Sequence, residues 1–166
     1  MTAIVPQDAA TTAKAETAAG TRNSELVAAA TRARQKAYAP YSLYTVGAAL
    51  RSTDGRIFIG CNVENAAFSA TNCAERTAFF TAIAEGVRDF EAIAVVGAPA
   101  GASPGTRLSC SPCGVCRQVM AEFCDPDHFT VLLARSLETP EDHQAFFLRE
   151  LLPQAFAGEA TRELER

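Results

Sequence analysis

Residues 73–84 read CAERTAFFTAIA, and the segments on either side are arranged around this stretch. It contains no glycine or proline and is rich in alanine, the residue with the highest helix propensity. Gly86 follows two residues later, where a helix commonly ends. The stretch therefore predicts a helix that begins with Cys73-Ala74-Glu75.

The flanking segments predict an alternation of strands and helices. Ser24 is a plausible N-cap and Pro40 a natural terminator for the first helix. The predicted elements are a helix over 24–38, strands over 44–50 and 56–62 joined by an Asp-Gly turn, a strand over 91–98, a helix over 113–123, a strand over 129–134 and a last helix over about 146–156. This order favours an α/β fold with a mixed sheet covered by helices on both faces.

The length of 166 residues fits one domain. Residues 1–22 show no clear hydrophobic period and are predicted to form a flexible tail. The domain is expected over 23–158, with a short C-terminal tail over 159–166.

Charge and hydropathy argue against two classes of partner. The net charge of −4 disfavours nucleic-acid binding, which usually requires a clustered basic surface. No apolar run approaches the roughly 18 residues that a membrane span needs. The N-terminus lacks the basic start and apolar core of a secretory signal, so a cytoplasmic protein is expected.

A second cysteine motif indicates that Cys73 is a metal ligand. The sequence Cys113-Gly114-Val115-Cys116 lies forty residues later, also at the start of a predicted helix. Together the motifs offer three thiolates from two helix N-termini. Catalytic zinc is held in this way by three protein ligands, and its fourth position is left to water. The pattern predicts a catalytic zinc site.

Charged residues beside the ligands suggest two further roles. Glu75 is not needed as a ligand and is well placed to take a proton from a zinc-activated water and pass it on. Arg76 and Arg117 each lie close in sequence to a ligand, and donation to the sulfurs would make the metal a better Lewis acid.

Other interpretations use the same residues. Cys110 or Cys124 could complete a closed structural zinc site, and a CxxC alone could form a redox dithiol. Glu75 could simply stabilise a helix dipole. A non-enzymatic zinc-binding module would need neither Glu75 nor an open coordination position. His128 and His143 lie outside any recognisable motif.

The sequence resembles the cytidine deaminase family, in particular its small, homotetrameric, three-cysteine branch. The matching blocks cover most of the chain from about residue 24 to 156: 38–42 (YAPYS), 46–50 (VGAAL), 60–66 (GCNVENA), 73–78 (CAERTA), 111–118 (SPCGVCRQ) and 150–153 (ELLP). The resemblance implies a three-layer α/β/α sandwich around a mixed sheet of about five strands. It also implies one Zn²⁺ per subunit, held by Cys73, Cys113 and Cys116.

The resemblance further implies a hydrolase of pyrimidine salvage that converts cytidine and 2'-deoxycytidine to uridine and 2'-deoxyuridine. Zinc-activated water would attack C4 of cytosine, while Glu75 would protonate N3 and then the departing amine. The substrate contacts carried over are Asn62 and Glu64 for the ribose hydroxyls, the backbone around Ala74 and the carbonyl of Ser111 for the pyrimidine, Tyr44 near the base, and Phe156 lent to a neighbouring subunit's site.

Two positions depart from the pattern of the family. Tyr44 stands where relatives usually carry phenylalanine, and Phe68 stands where many carry tyrosine. Such changes could alter tolerance for modified bases. The alternative substrates are a modified cytosine nucleoside or an aminonucleoside antibiotic of the blasticidin type, because a deaminase of that branch would share the zinc motifs. Asn62, Glu64 and the block 46–50 favour ordinary cytidine. Polynucleotide editing is the less favoured choice, because the chain is acidic.

Overall fold

The computed structural model describes residues 9–156, with side chains from residue 19 onward. Its helices are α1 (Ala9–Arg34), α2 (Ala74–Ala84), α3 (Gly114–Phe123) and the short α4 (Leu148–Leu151). Its strands are β1 (Tyr44–Ser52), β2 (Ile57–Cys61), β3 (Phe90–Pro99), β4 (Thr130–Ala134) and β5 (His143–Phe147). Within the described residues no helix is both long and apolar enough to cross a membrane.

The strands form one sheet in the order β2-β1-β3-β4-β5. β3 and β4 run parallel, and every other neighbouring pair is antiparallel. The sheet is therefore mixed and five-stranded, as predicted.

Helices cover both faces of this sheet, because the side chains of the central strands alternate between two hydrophobic clusters. Ile93 and Val95 of β3 belong to a cluster with α2 and α3, which we call the site face. Ala94 and Val96 of the same strand belong to a cluster with α1, which we call the α1 face. The predicted α/β architecture with helices on both faces is confirmed.

The first helix differs from its prediction at both ends, because it spans Ala9–Arg34 where 24–38 was predicted. It begins at Ala9, so residues 9–22 are helical in backbone, and the predicted domain boundary at residue 23 falls inside α1. Ser24 does not cap it, because the Ser24 Oγ donates to the Gly20 carbonyl one turn earlier at 3.1 Å. Alanine-rich sequence sustains a helix without an amphipathic period. Residues 1–8 and the predicted tail over 159–166 lie outside the described residues.

The prediction of a helix over about 146–156 is wrong over much of its length. The segment begins inside β5, and helix follows only over Leu148–Leu151. β5 is an edge strand paired with β4, and all five of its residues are partly or fully exposed. Such a strand lacks the alternation of buried and polar residues that would reveal it in the sequence.

Candidate active site

The structure brings three predicted sulfur atoms together. The Sγ atoms of Cys73, Cys113 and Cys116 all lie within 4.8 Å of one another. Cys113 Sγ is 3.9 Å from Cys73 Sγ and 3.5 Å from Cys116 Sγ. Tetrahedral zinc with bonds of about 2.3 Å separates its sulfur ligands by about 3.8 Å. The spacing and the chemistry of these donors therefore fit zinc.

Two helix N-termini place these sulfurs. Cys73 is the N-cap of α2 and Cys113 is the N-cap of α3, each with extended backbone angles. Gly60 of β2 allows α2 to approach, because a Cβ on Gly60 would lie only 2.2 Å from the Ala74 carbonyl oxygen. Each helix N-terminus carries roughly half a positive charge, which favours thiolates.

The alternative of a closed site with four cysteines is not supported by the geometry. Among the residues that the structure describes, neither Cys110 nor Cys124 joins the metal-binding cluster. All six cysteines are free thiols. Burial raises the pKa of Cys110 to about 11, as expected for a thiol packed in the wall of a cleft.

Glu75 lies in the first turn of α2 beside the three sulfurs. Only 5% of its surface is exposed, and burial raises the pKa of its carboxyl group, with the nearby Cys73 acting in the same direction. A raised pKa favours the protonated form of the carboxyl group, and acid–base residues in enzymes are commonly tuned in this direction by burial.

The two predicted arginines lie in different places. Arg76 Nη2 donates to Cys73 Sγ at 3.7 Å and to the Thr71 carbonyl at 2.9 Å. Arg117 instead donates to the Pro112 carbonyl, the Leu151 carbonyl and Ser111 Oγ, at 2.8, 2.6 and 2.9 Å. Successive side chains on a helix point about 100° apart, so Arg117 points away from its neighbour Cys116. These three hydrogen bonds hold the loop before α3 in place. None of them goes to a sulfur, so the predicted contact between Arg117 and a ligand sulfur is not formed.

A cleft of ≈ 320 Å³ opens in front of the sulfurs. Its lining includes most of the predicted site residues: Cys73, Cys113, Glu75, Ala74, Ser111, Tyr44, Asn62 and Glu64. It also includes residues that sequence reasoning did not assign to the site: Ser42, Val46, Thr71, Asn72 and Cys110. Ser42 and Val46 lie inside the matching blocks 38–42 and 46–50, and Asn72 and Cys110 directly precede two others, which was the available signal.

Asn62 and Glu64 line the same cleft, and each is held by hydrogen bonds. Asn62 Oδ1 accepts from the Val46 N–H at 2.8 Å, and its Nδ2 donates to the Tyr44 carbonyl at 2.9 Å. The Glu64 carboxylate accepts from the backbone N–H groups of residues 41 and 42 and from Ser42 Oγ. These bonds, the Ser42 hydroxyl foremost, lower the Glu64 pKa.

Phe156 and Phe68 lie outside this cleft lining. Phe156 is 83% exposed, and its carbonyl accepts from Gln118 Nε2 at 2.6 Å. Phe68 is 74% exposed and meets Tyr41 edge to face, with ring centroids 6.0 Å apart.

Comparison with known proteins gives a consistent result. Residues 21–132 match the family model described as the cytidine and deoxycytidylate deaminase zinc-binding region. A cytidine deaminase from Sporosarcina psychrophila is 49% identical over 138 residues, covering 81% of this chain and 91% of the relative. A crystal structure of cytidine deaminase from Burkholderia pseudomallei superposes with a TM-score of 0.66 at 46% identity, covering 80% of this chain and 97% of that one.

A blasticidin-S deaminase from Bacillus cereus is a more distant relative. It is 33% identical over 88 residues, which cover 52% of this chain and 62% of that protein.

Proposed function

Because the chain belongs to the cytidine and deoxycytidylate deaminase family, we propose that it hydrolyses cytidine and 2'-deoxycytidine to uridine and 2'-deoxyuridine, releasing ammonia. One observation carries the proposal beyond family membership. A buried carboxyl group, Glu75, lies beside a three-sulfur cluster in a cleft that Asn62 and Glu64 also line. This arrangement offers a proton carrier and sugar ligands in one cleft.

Cys73, Cys113 and Cys116 would hold one zinc ion per subunit. Bound zinc supplies a Lewis acid that lowers the pKa of a coordinated water toward neutrality. Three thiolates leave the ion with a formal negative charge, which opposes this effect. Two features of the chain offset it: the helix N-termini at Cys73 and Cys113, and the Arg76 donation to the Cys73 sulfur.

Glu75 would move the protons of the reaction. Its carboxylate would take one proton from the attacking water and deliver it to N3 of the pyrimidine. It would then take the second proton from the new C4 hydroxyl and pass it to the amine, so that ammonia leaves and C4 becomes a carbonyl. Burial favours the protonated form and so keeps the group able to work in both directions.

The sugar contacts follow from the hydrogen bonds that Asn62 and Glu64 still have free. An amide has two N–H donors, and Asn62 uses one of them on the Tyr44 carbonyl. A carboxylate accepts about four hydrogen bonds, and Glu64 receives three from residues 41 and 42. One donor and one acceptor therefore remain for a ribose diol. The backbone around Ala74 and the carbonyl of Ser111 would contact the pyrimidine.

The charge of the cleft favours nucleosides over nucleotides. Its described lining contains two carboxylates, Glu64 and Glu75, and no lysine or arginine. A 5'-phosphate on a sugar bound by Glu64 would lie near that carboxylate without a compensating cation in the lining, and such a like-charge contact weakens binding. We therefore propose free nucleosides as substrates and expect deoxycytidylate to be rejected.

Assembly into a homotetramer is part of the proposal. The exposed ring of Phe156 would enter a neighbouring subunit's site, and exposed Tyr41 and Phe68 would be covered by subunit contacts. Size-exclusion chromatography with light scattering tests this point directly. A monomer at micromolar concentration with full activity would contradict it.

A deaminase for aminonucleoside antibiotics remains the alternative. The relative from Bacillus cereus supports it, although its similarity is lower and covers about half of the chain. The Asn62 and Glu64 pair favours an ordinary ribonucleoside, because it presents a donor and an acceptor to a sugar diol.

One assay distinguishes these functions. Purified zinc-loaded protein is incubated with cytidine, 2'-deoxycytidine, deoxycytidylate or blasticidin S, and deamination is followed by ultraviolet absorbance and ammonia release. We expect turnover of the two free nucleosides, loss of activity after chelation and its return with zinc. Turnover of blasticidin S alone would identify the alternative, and inactivity toward all four would refute both functions. A gel-shift measurement with single-stranded DNA is expected to show no binding.

A further inference from the structure

The hydroxyl group of Ser42 lies in the cleft lining, and the proposed reaction does not use it. Its Oγ donates to Glu64 Oε1 and accepts from the Tyr44 N–H at 3.0 Å. The hydroxyl has a single proton, and an ionised carboxylate accepts it more strongly than the Tyr44 carbonyl, which lies 3.4 Å away. Ser42 is therefore a donor whose direction is fixed by its two neighbours.

The turn around Leu43 places this hydroxyl. Leu43 has a φ of 55°, in the left-handed region that residues other than glycine adopt uncommonly. Its N–H donates to the Ala39 carbonyl at 3.1 Å, and its carbonyl accepts from the Ala100 N–H at 2.7 Å. Both backbone groups are thus paired, and the surrounding structure holds the residue in this conformation. The turn directs three donors from residues 41 and 42 at the Glu64 carboxylate.

The two oxygens of the Glu64 carboxylate have different partners. Among the described residues, Oε2 accepts from the N–H groups of residues 41 and 42, at 3.0 and 3.2 Å, and Oε1 accepts from Ser42 Oγ. Each carboxylate oxygen has about two lone-pair sites, so Oε2 is filled and Oε1 can accept one more hydrogen bond. A sugar hydroxyl would therefore donate to Oε1, the atom to which Ser42 also donates.

Tyr44 ties the second sugar ligand to the same turn. Its N–H donates to Ser42 Oγ, and its carbonyl accepts from Asn62 Nδ2 at 2.9 Å. Asn62 is thus held by backbone groups, which a substitution of the Ser42 side chain leaves in place. Glu64 Oε1, in contrast, is held by the Ser42 side chain itself. Loss of the hydroxyl would therefore act on Glu64 and spare Asn62.

We propose, on the basis of the proposed function, that Ser42 is a positioning residue that turns the free lone pair of Glu64 Oε1 toward a hydroxyl of the sugar. Without Ser42 Oγ, the carboxylate would keep its two backbone bonds at Oε2, and Oε1 would lose its fixed direction. The cost would appear only with a substrate that donates a hydroxyl to Oε1. A role in the turn as a whole would instead affect every substrate.

Substrate analogues distinguish these two roles. Zinc-loaded wild-type protein and Ser42→Ala are assayed with cytidine, 2'-deoxycytidine, 3'-deoxycytidine and 2',3'-dideoxycytidine. We expect Ser42→Ala to raise the KM for cytidine by about two- to tenfold, the range of one neutral hydrogen bond, while kcat changes less. The KM for 2',3'-dideoxycytidine should stay almost unchanged, because this analogue has no diol hydroxyl to donate. The two monodeoxy analogues identify the hydroxyl that Oε1 accepts.

A double variant tests the same coupling from the side of the protein. Once Glu64→Ala has removed the carboxylate, adding Ser42→Ala should not raise the KM for cytidine further. Ser136→Ala is the matched control, because Ser136 Oγ also accepts from backbone N–H groups of its own turn, at residues 138 and 139, and lies outside the cleft lining. Titration calorimetry with uridine and 2',3'-dideoxyuridine measures the same differences without turnover, and thermal unfolding checks that each variant is folded.

Three outcomes would overturn the proposal. The first is an equal rise in KM for cytidine and 2',3'-dideoxycytidine, which would assign Ser42 to the turn alone. The second is a KM for cytidine in Ser42→Ala that matches the Ser136→Ala control. The third is an undiminished effect of Ser42→Ala in the Glu64→Ala background. Absence of deamination by the wild type would instead refute the proposed function.

Discussion

The two faces of the sheet are built from different side chains. The α1 face is dominated by small residues: Ala29, Ala30, Ala49, Ala92, Ala94, Ala98 and Ala134. The site face contains large ones: Phe58, Phe79, Phe90, Phe129 and Met120. Small residues allow α1 to lie close to the sheet, and a Cβ on Gly47 would lie 2.1 Å from the Ala30 carbonyl oxygen.

The site face carries the catalytic cleft, whereas the α1 face contributes mainly to the stability of the fold. The aromatic rings of the site face fill the space behind α2 and α3, so both helix N-termini are held at the same cleft. Phe79 of α2 packs against Phe90 and Phe129, with ring centroids 5.1 and 6.1 Å away. The α1 face carries none of the cleft-lining residues on its helix. We therefore expect substitutions at the cleft to lower turnover with little loss of stability, and substitutions on the α1 face to lower stability with little loss of turnover.

The largest effect on turnover is expected from Glu75→Gln on the site face. Loss of the proton carrier should lower kcat for cytidine by roughly 10²- to 10⁴-fold, while zinc content and melting temperature stay close to wild type. Glu85→Gln, an exposed carboxylate at the end of the same helix, is the control. Near-normal deamination by Glu75→Gln would exclude the role proposed for this residue.

The largest effect on stability is expected from Leu26→Ala on the α1 face. Leu26 is fully buried, and truncating such a side chain typically costs about 2–5 kcal/mol. Denaturant unfolding should show this loss, while kcat of the folded protein at low temperature should stay near wild type. A fall in kcat comparable to that of Glu75→Gln would show that the two faces are not functionally separate.

Arg76→Gln should have an intermediate effect on the chemistry. It removes the guanidinium donation to the Cys73 sulfur and leaves all three cysteines in place. Turnover should fall by roughly tenfold, the value of one charge-assisted hydrogen bond, and zinc content should fall less. Parallel metal analysis and kinetics check this, and equal losses of both would assign Arg76 to metal retention instead.

The smallest effect is expected in the β1–β2 turn, which lies outside both clusters. Hydrogen bonds from Arg56, then Ser52, lower the pKa of Asp54 to about 2, below its ordinary value of 3.8. A lowered pKa stabilises the fold above the ordinary value and loses that contribution as the pH falls toward 2. Asp54→Asn should therefore lower the melting temperature slightly at pH 7, by an amount that shrinks between pH 4 and 2. A constant difference would exclude ionisation as its cause.

Much of the site could be predicted because its residues lie in short, contiguous motifs. Cys73 and Glu75 share one helix start, and the spacing of Cys113 and Cys116 places both sulfurs at the start of another. Local spacing fixes such geometry. Arg117 was misplaced because its orientation depends on the carbonyl of Leu151, thirty-four residues away, with which it bonds.

Two elements of the fold escaped prediction for physical reasons. β5 is defined by its hydrogen bonds with β4, and its exposed side chains carry no periodic signal. The early start of α1 rests on intrinsic helix propensity in a segment without an amphipathic pattern. Neither feature can be recognised from a search for hydrophobic periodicity.

The sequence by itself was enough to predict the three-cysteine cluster, the carboxyl group beside it and the alternation of helices and strands. These features depend on residues that are only a few positions apart within each motif. The tertiary structure decided which side chains complete the cleft. Tyr44, Gly97 and Cys110 come from separate segments, and only the pairing of β1 with β3 and the path of the chain toward α3 bring them into contact. Contacts between distant segments depend on packing and register, for which a single sequence offers no local signal.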